Sequence, residues 1–463
     1  MVPKKKDSKK TTLFSLRSKI GRSSGEVFDW LIQSSRYKRL IPPWEKVEFL
    51  SFEGDPRAVG FQVILKIKIG SFSRRMIIQR KELIEKESFT DVQVQGPFKH
   101  WEHIHRIHST SDGECEIEDE IQFAAPFPFL HSRIEKREKR KIEWQHERLN
   151  NDLQVQSRYE ASRLRILVSG SKGLVGYDLC SFLQSAGHQV VSLTRNKGNR
   201  GQDTIFWNPK SGEIGKEDFE DFDAVIHLAG KNIGSGFWTK KFKEEIFLSR
   251  CRDTWLLSQV LLRLFRPPKT IICASAVGIY GNRGDEELTE ESPPGTGFLA
   301  NLCQKWEEST TSIENRGTRG VHTRFGLILS SKGGMLAKIF PLFRLGFGAI
   351  IGSGKQWMSW ISLDDVVYGL YHTLMTKEIE GPVNFTAPEA VTNASFSKKL
   401  SAAMHKPLFF RIGEKPLHFF LGEMADEMFL ASARARPEKL ETFGYQFFYP
   451  TLDQALSCTL FEL

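Results

Sequence analysis

The sequence predicts two folds in series: an α+β unit, then an α/β unit built on a doubly wound parallel sheet. Three observations carry this. Residues 165–176, R-I-L-V-S-G-S-K-G-L-V-G, form a short apolar run that stops at Gly170 and passes through Gly173 and Gly176. Leu174, Val175, Leu179, Phe182 and Leu183 then recur at helical spacing. Further apolar runs at 189–193, 224–228, 270–275 and 321–325 are separated by helical stretches and feed glycine-containing loops. Before residue 150 the pattern is different: alternating runs, closed by one long charged helix.

Composition sets the outer limits. A chain of 463 residues carries two or three domains, each able to bury a core. No run of about 18 apolar residues occurs, so no membrane-spanning helix is expected. Residues 1–10 hold Lys4, Lys5, Lys6, Lys9 and Lys10 without an apolar stretch, which reads as a solvated, disordered tail rather than a secretory signal. The six cysteines form no C-x-x-C pair and read as reduced thiols of a cytoplasmic protein. The net charge of +9 is spread among mixed helices, so no nucleic-acid partner is expected.

In chain order, residues 27–32 suggest a short helix and I-P-P-W at 41–44 a turn. Strands are expected at 47–52, 61–69, 76–79, 88–95, 101–107 and 115–123, and their alternation suits an antiparallel sheet with one dry face. Leu130, Ile134, Ile142, Leu149 and Leu153 mark the amphipathic helix laid on it. With I-P-P-W-E-K-V and D-V-Q-V-Q-G-P-F-K-H-W-E-H-I-H, residues 14–153 resemble the START-like (SRPBCC, polyketide cyclase) superfamily. The resemblance implies a helix-grip fold around a mostly apolar ligand cavity. His100, His103, His105 and His108 raise a metal reading, but no carboxylate or cysteine stands beside them at ligand spacing. They are taken as polar residues of the sheet face, with no metal expected. Residues 150–163 read as a polar linker.

A strand, a glycine turn and a helix make a dinucleotide site, because the backbone can approach a pyrophosphate at the helix N-terminus; alone, the same spacing also suits a packing turn. The second strand ends in Thr194-Arg195, where a Rossmann fold meets the adenosine ribose. An arginine there suits the 2′-phosphate of NADP better than the free hydroxyl of NAD. H-L-A-G at 227–230 brings small residues to another strand end.

The stretches S-G-S-K-G-L-V-G, H-L-A-G-K-N-I, A-S-A-V-G-I-Y-G, F-L-A-N-L-C-Q-K-W-E, G-P-V-N-F-T-A-P-E and R-P-E-K-L resemble the extended short-chain dehydrogenase/reductase superfamily. Within it they resemble the NAD(P)-dependent epimerase-like family that carries its own C-terminal domain. The resemblance implies a Rossmann domain over 164–400 and a small subdomain over 401–463. It implies a cofactor shell of Gly170, Ser171, Lys172, Gly173, Leu174, Val175, Gly176, Thr194, Arg195, Leu228, Ala229, Gly230, Glu245 and Arg250; the last two also suit a surface ion pair. No tyrosine has a lysine four residues on, so the usual Tyr-x-x-x-Lys pair is missing. Ser275 and Tyr280 are the candidate catalytic residues, although Tyr280 also reads as packing. Lys355, Gln356, Trp357, Trp360, Asp364 and Asp365 are placed on the substrate side, with Asp364 a candidate helix cap. Two functions fit: an NADP-dependent oxidoreductase or epimerase acting on a small molecule, and a nucleotide-binding regulator without turnover.

Overall fold

A computed structural model describes residues 11–69, 72–159, 162–196, 203–210, 213–214 and 219–460. The lysine-rich tail lies outside them. The chain divides into two compact units at residues 160/161.

The first unit is one antiparallel sheet closed by a helix. Its strands are β1 (Thr12–Ile20), β2 (Val47–Glu53), β3 (Gln62–Ile69), β4 (Phe72–Ile84), β5 (Ser88–Gln95), β6 (His100–Ser109) and β7 (Cys115–Ala124). Their order is β1-β7-β6-β5-β4-β3-β2, so β1 pairs with the last strand and every other neighbour is a hairpin partner. The alternating burial of β6 follows the two-residue period of a strand with one dry face. Helix α1 (Ser24–Ile32) starts in a capping box of Ser23 and Glu26, and α2 (Arg36–Arg39) follows it. Helix α3 (His131–Gln156) lays Ile142, Leu149 and Leu153 on the sheet. It runs through 150–156, so the expected linker begins later than its polar composition suggested; Asp152, buried there, is held in an ion pair by Arg39 of α2 at 2.7 Å.

The second unit is built on an eight-stranded sheet. Its strands are β8 (Arg165–Ser169), β9 (Gln189–Thr194), β10 (Thr204–Asn208), β11 (Glu213–Ile214), β12 (Ala224–His227), β13 (Thr270–Ala276), β14 (Arg319–Phe325) and β15 (Gly381–Phe385). The order is β11-β10-β9-β8-β12-β13-β14-β15, parallel except for β11. The strands from β8 to β13 that flank the centre are buried almost throughout, as helix-covered parallel strands must be. The helices used below are α4 (Leu174–Ser185), α5 (Lys240–Phe247), α6 (Asp253–Leu262), α7 (Phe298–Glu308), α8 (Gly334–Arg344) and α9 (Leu363–Met375). From β8 the chain moves outward to β9 and β10, then returns to β12 on the other side of β8. The carboxyl ends of β8 and β12 therefore form the switch point where such sheets bind ligands.

Candidate functional site

At that switch point the glycines have separate physical reasons. Gly170 has φ +73°, and a Cβ there would lie 2.8 Å from the carbonyl carbon of Leu228. A Cβ on Gly176 would lie 2.2 Å from the Gly170 oxygen, so the first turn of α4 packs directly on the turn that precedes it. The Gly173 amide donates to the Gly170 carbonyl at 2.8 Å and closes the loop. Among the described residues no side chain caps α4, which leaves the amide groups of its first turn open to an anion. Ser169 Oγ receives the amides of Leu228 and Ala229 at 3.2 and 3.3 Å and lies 2.7 Å from His227 Nδ1, tying the two strand ends together. Lys172, Arg195 and Gly230 are exposed around this cradle, and Thr194 is half-buried at the end of β9. The residues present fit a dinucleotide: a cradle that any side chain would fill, facing an uncapped helix.

Arg250 and Glu245 diverge. A wide turn of five residues, Leu248–Arg252, interrupts the α5–α6 helix. From it Arg250 donates to the Lys231 carbonyl at 2.8 Å and lies 5.0 Å over the Trp306 ring. Burial pulls its pKa down from the usual arginine value. Glu245 is paired with Lys231 and belongs to the surface of α5.

Beyond Arg250 opens a cavity of about 650 Å³, lined mainly by apolar side chains. One wall is the end of β13 with the following residues, 274–278; another is the face of α7 carrying Leu299, Leu302, Cys303 and Trp306. Met335, Ile339 and Phe343 of α8 and the segment 426–431 complete it. Glu427 of that segment accepts the amides of Phe298 and Leu299 at 2.7 and 2.9 Å, capping α7 from the far end of the chain. Burial pushes the Cys303 thiol up to about 12, so it stays protonated and unreactive at neutral pH.

Ser275 stands on this cavity wall. Its hydroxyl donates to Glu307 Oε1 at 2.6 Å, and Arg324 of β14 grips the same carboxylate with Nε at 3.0 Å and Nη2 at 2.9 Å. Burial opposes the Arg324 charge, but the bonds and charge of Glu307 outweigh it and raise its pKa above the usual value. Glu307 and Arg324 escaped the sequence reading. The only signal was an arginine inside the otherwise core-like strand V-H-T-R-F.

Tyr280 is fully buried and does not line the cavity. Its hydroxyl lies 2.7 Å from Asn384 Oδ1 and accepts from Arg324 Nη1 at 2.9 Å. Among the described residues, no tyrosine or lysine lines the cavity. Lys305 points away and pairs with exposed Glu308.

The residues expected on the substrate side also separate. Trp357 lines the cavity, whereas Trp360 is buried in the core. Lys355 is exposed, and Gln356 spends its amide on the carbonyls of Ile351 and Phe429. The cap of α9 is Ser362, which accepts from the Asp365 amide at 2.9 Å, and not Asp364. Asp365 is fully buried and fastens the C-terminal segment by accepting from Tyr445, Phe448 and Tyr449.

The first unit has its own cavity of about 450 Å³ between sheet and helix. Leu65, Ile67, Met76 and Ile134 give it an apolar body. Asp91 also lines it and is neutralised by Arg80 at 2.6 Å and Arg36 at 3.0 Å. Burial alone would raise Asp91, but these arginines hold it down at about 2. The expectation that no carboxylate stands beside the histidines is corrected. His105 pairs in register with Asp119 of β7, and His103, His105 and Asp119 form one buried cluster. Sequence spacing hides this because the partner arrives from the neighbouring strand.

Comparison with known proteins agrees with this geometry. Residues 166–385 match the NAD dependent epimerase/dehydratase family, residues 20–150 the polyketide cyclase / dehydrase and lipid transport family, and residues 414–457 a domain of unknown function. An epimerase family protein of Mycobacterium bovis, Mb2239, is 40% identical over 63% of this chain and 96% of its own length. The crystal structure of the nucleoside-diphosphate sugar epimerase from Corynebacterium glutamicum is 29% identical, with a TM-score of 0.80 over 96% of this chain and 90% of that one. Human epimerase family protein SDR39U1, solved with NADPH, is 31% identical, with a TM-score of 0.60 over 65% of this chain and 100% of that one. The chain belongs to the epimerase family, NAD(P)-dependent proteins of the short-chain dehydrogenase/reductase kind, and carries a polyketide cyclase-type domain ahead of its Rossmann unit.

Proposed function

We propose that the second unit is an NADP(H)-dependent enzyme acting on a small molecule with a hydroxyl or carbonyl group, bound in the 650 Å³ cavity. The observation that carries this is the Ser275–Glu307–Arg324 relay at a strand end on the cavity wall. Residues 171–176 would hold the pyrophosphate, Arg195 the 2′-phosphate, and residues 228–230 the adenosine side. Arg250 would anchor the loop at 230–231 where cradle and cavity meet. The nicotinamide, when bound, supplies hydride transfer. Ser275 donates its own proton to Glu307, so its lone pairs are free to accept a proton from a substrate hydroxyl while Glu307 takes the serine proton. Arg324 holds the carboxylate in place, and Tyr280 positions Arg324. The NADPH in the human relative's structure supports the choice of cofactor. In the first unit the apolar cavity suits an apolar ligand, in line with the lipid-transport family it matches.

A nucleotide-binding regulator without turnover is the second reading. Favouring it, α7 presents Leu302 and Trp306, and no phenol, to the cavity. Stopped-flow oxidation of NADPH against carbonyl compounds and nucleotide sugars separates the two, run beside a cofactor titration. Turnover lost in Ser275→Ala and Glu307→Gln with cofactor affinity retained supports the enzyme. Turnover unchanged in both variants refutes the relay. Tight NADPH binding without reduction of any substrate gives the lead to the regulator.

A further inference from the structure

The buried cluster in the first unit has the donor set of a metal centre. Residues 103 and 105 are two apart on β6, so both side chains leave the same face of the sheet, and β7 sets Asp119 directly opposite His105. The two imidazoles lie 3.8 Å apart between ring centres. His103, His105 and Asp119 are 6, 7 and 3% exposed.

Three atoms converge there: His103 Nε2 and His105 Nδ1 both lie in ion-pair contact with Asp119 Oδ1, yet neither contact is aligned as a hydrogen bond. They lie within 4.8 Å of one another, with His103 Nε2 3.2 Å from Asp119 Oδ1. Buried polar atoms are normally hydrogen-bonded, and a shared cation would satisfy all three of these atoms at once. Tetrahedral coordination at about 2.0–2.2 Å sets neighbouring donors about 3.4 Å apart; His103 Nε2 approaches this spacing from Asp119 Oδ1, whereas His105 Nδ1 stands closer and would move outward on binding.

The support behind the carboxylate is already built. Asp119 Oδ2 lies 2.7 Å from His146 Nε2, and His146 Nδ1 lies 2.8 Å from Ser18 Oγ. Such outer partners fix the orientation of a ligating carboxylate. Asp91, the acid nearest along the sheet, is spent on Arg36, Arg80 and Tyr37 and does not compete.

We propose that His103 Nε2, His105 Nδ1 and Asp119 Oδ1 bind a divalent ion of the zinc type, three protein ligands with further positions left open. His103 and His105 both line the 450 Å³ cavity, so the open positions face its contents, water or an oxygen donor on the cavity's ligand. The first unit would then hold its ligand by a metal–oxygen bond at one end and by apolar contact along the rest.

The test uses the full chain, free of any affinity tag and stripped with a chelator, titrated with Co²⁺ by visible absorption and then with Zn²⁺ in competition. The expected result is one Co²⁺ per chain with the strong visible bands of four- or five-coordination, displaced by Zn²⁺. Asp119→Asn and His103→Gln should each weaken binding at least about 100-fold and His146→Gln about tenfold. The double variant His100→Ala/His108→Ala, which removes the more exposed histidines of the same strand, should bind as wild type. Circular dichroism checks each fold, and His103→Gln decides the matter if Asp119→Asn does not fold. Absence of saturable one-to-one uptake overturns the proposal, leaving an imidazole–carboxylate ion pair. So does equal binding by His103→Gln, or a loss of binding in the His100/His108 double variant alone.

Discussion

Three glycines of the second unit separate backbone strain from steric space, and together they test the cofactor cradle. Gly187 follows α4 with φ +85° and has nothing within 4 Å of where a Cβ would stand, so alanine there adds left-handed strain alone, about 1–2 kcal/mol. Gly176 lies inside α4, where alanine is conformationally welcome, but its Cβ would sit 2.2 Å from the Gly170 carbonyl oxygen. That is an overpacking term, typically about 1–3 kcal/mol and here at the top of the range, since the obstacle is backbone. Gly170 carries both: φ +73° and a Cβ 2.8 Å from the Leu228 carbonyl carbon, together about 2–5 kcal/mol. Scanning calorimetry of the full chain should show Gly187→Ala as the mildest of the three, with NADPH affinity kept within about twofold. Gly170→Ala and Gly176→Ala should both lower the transition further and weaken NADPH at least about tenfold, because each moves the turn that faces the helix N-terminus. A Gly176→Ala protein as stable and as tight-binding as wild type would refute the reasoning. So would a Gly187→Ala loss equal to that of Gly170→Ala.

Arg195→Ala should cut NADPH affinity about tenfold to a hundredfold and leave NADH affinity unchanged in calorimetric titration, the worth of about 1.5–3 kcal/mol for a charged phosphate bond. His227 is fully buried and held down to about 4 by desolvation. The unfolded chain takes up its proton near pH 6.5 while the fold resists until about 4, so stability is lost as pH falls through that window, by about 3 kcal/mol. Urea denaturation between pH 7 and 4 should show that loss in wild type and a flatter profile in His227→Asn. Tyr280→Phe strips a partner from Arg324 and Asn384, and should lower stability by about 1–3 kcal/mol without changing NADPH affinity. Ser275→Ala should reduce turnover about a hundredfold with little change in stability, measured by NADPH oxidation beside a thermal melt.

The elements legible in the sequence were those whose own period declares them. β5 runs from Ser88 to Gln95 as the alternation predicts, and β8, β9, β12, β13 and β14 fall within two residues of their apolar runs, whereas β15 (Gly381–Phe385) was not expected as a strand. Losses came where local composition disguised a long-range partner. β1, T-L-F-S-L-R-S-K-I, alternates well but follows a lysine-rich tail, and its partner β7 lies a hundred residues on. β4 extends over Phe72–Ile84 although its charged residues left only 76–79 strand-like, because a strand between two others is held by both ladders. β10 was missed because T-I-F-W-N is short, and tertiary pairing to β9 supplies what its length does not.

The same distinction governs the chemistry. Glycine cradles are readable because one residue type answers one backbone demand, as Gly170 does with its positive φ and its contact to Leu228. The proposed relay has no such signature, because its members come from three elements: Ser275 from β13, Glu307 from α7 and Arg324 from β14. Glu307 stands beside Glu308 in the sequence, yet the helix turns one inward to Ser275 and the other outward to Lys305. A helix advances about 100° per residue, so neighbours cannot share a face, and only packing against β13 and β14 decides which glutamate is buried. Exchanging the two roles is therefore a sharp check. Glu307→Gln should lose activity and, by leaving Arg324 buried without its counter-charge, about 3–5 kcal/mol of stability, whereas Glu308→Gln should change both by little. Equal effects from the two substitutions would mean that the carboxylate behind the cavity wall does not act through Ser275.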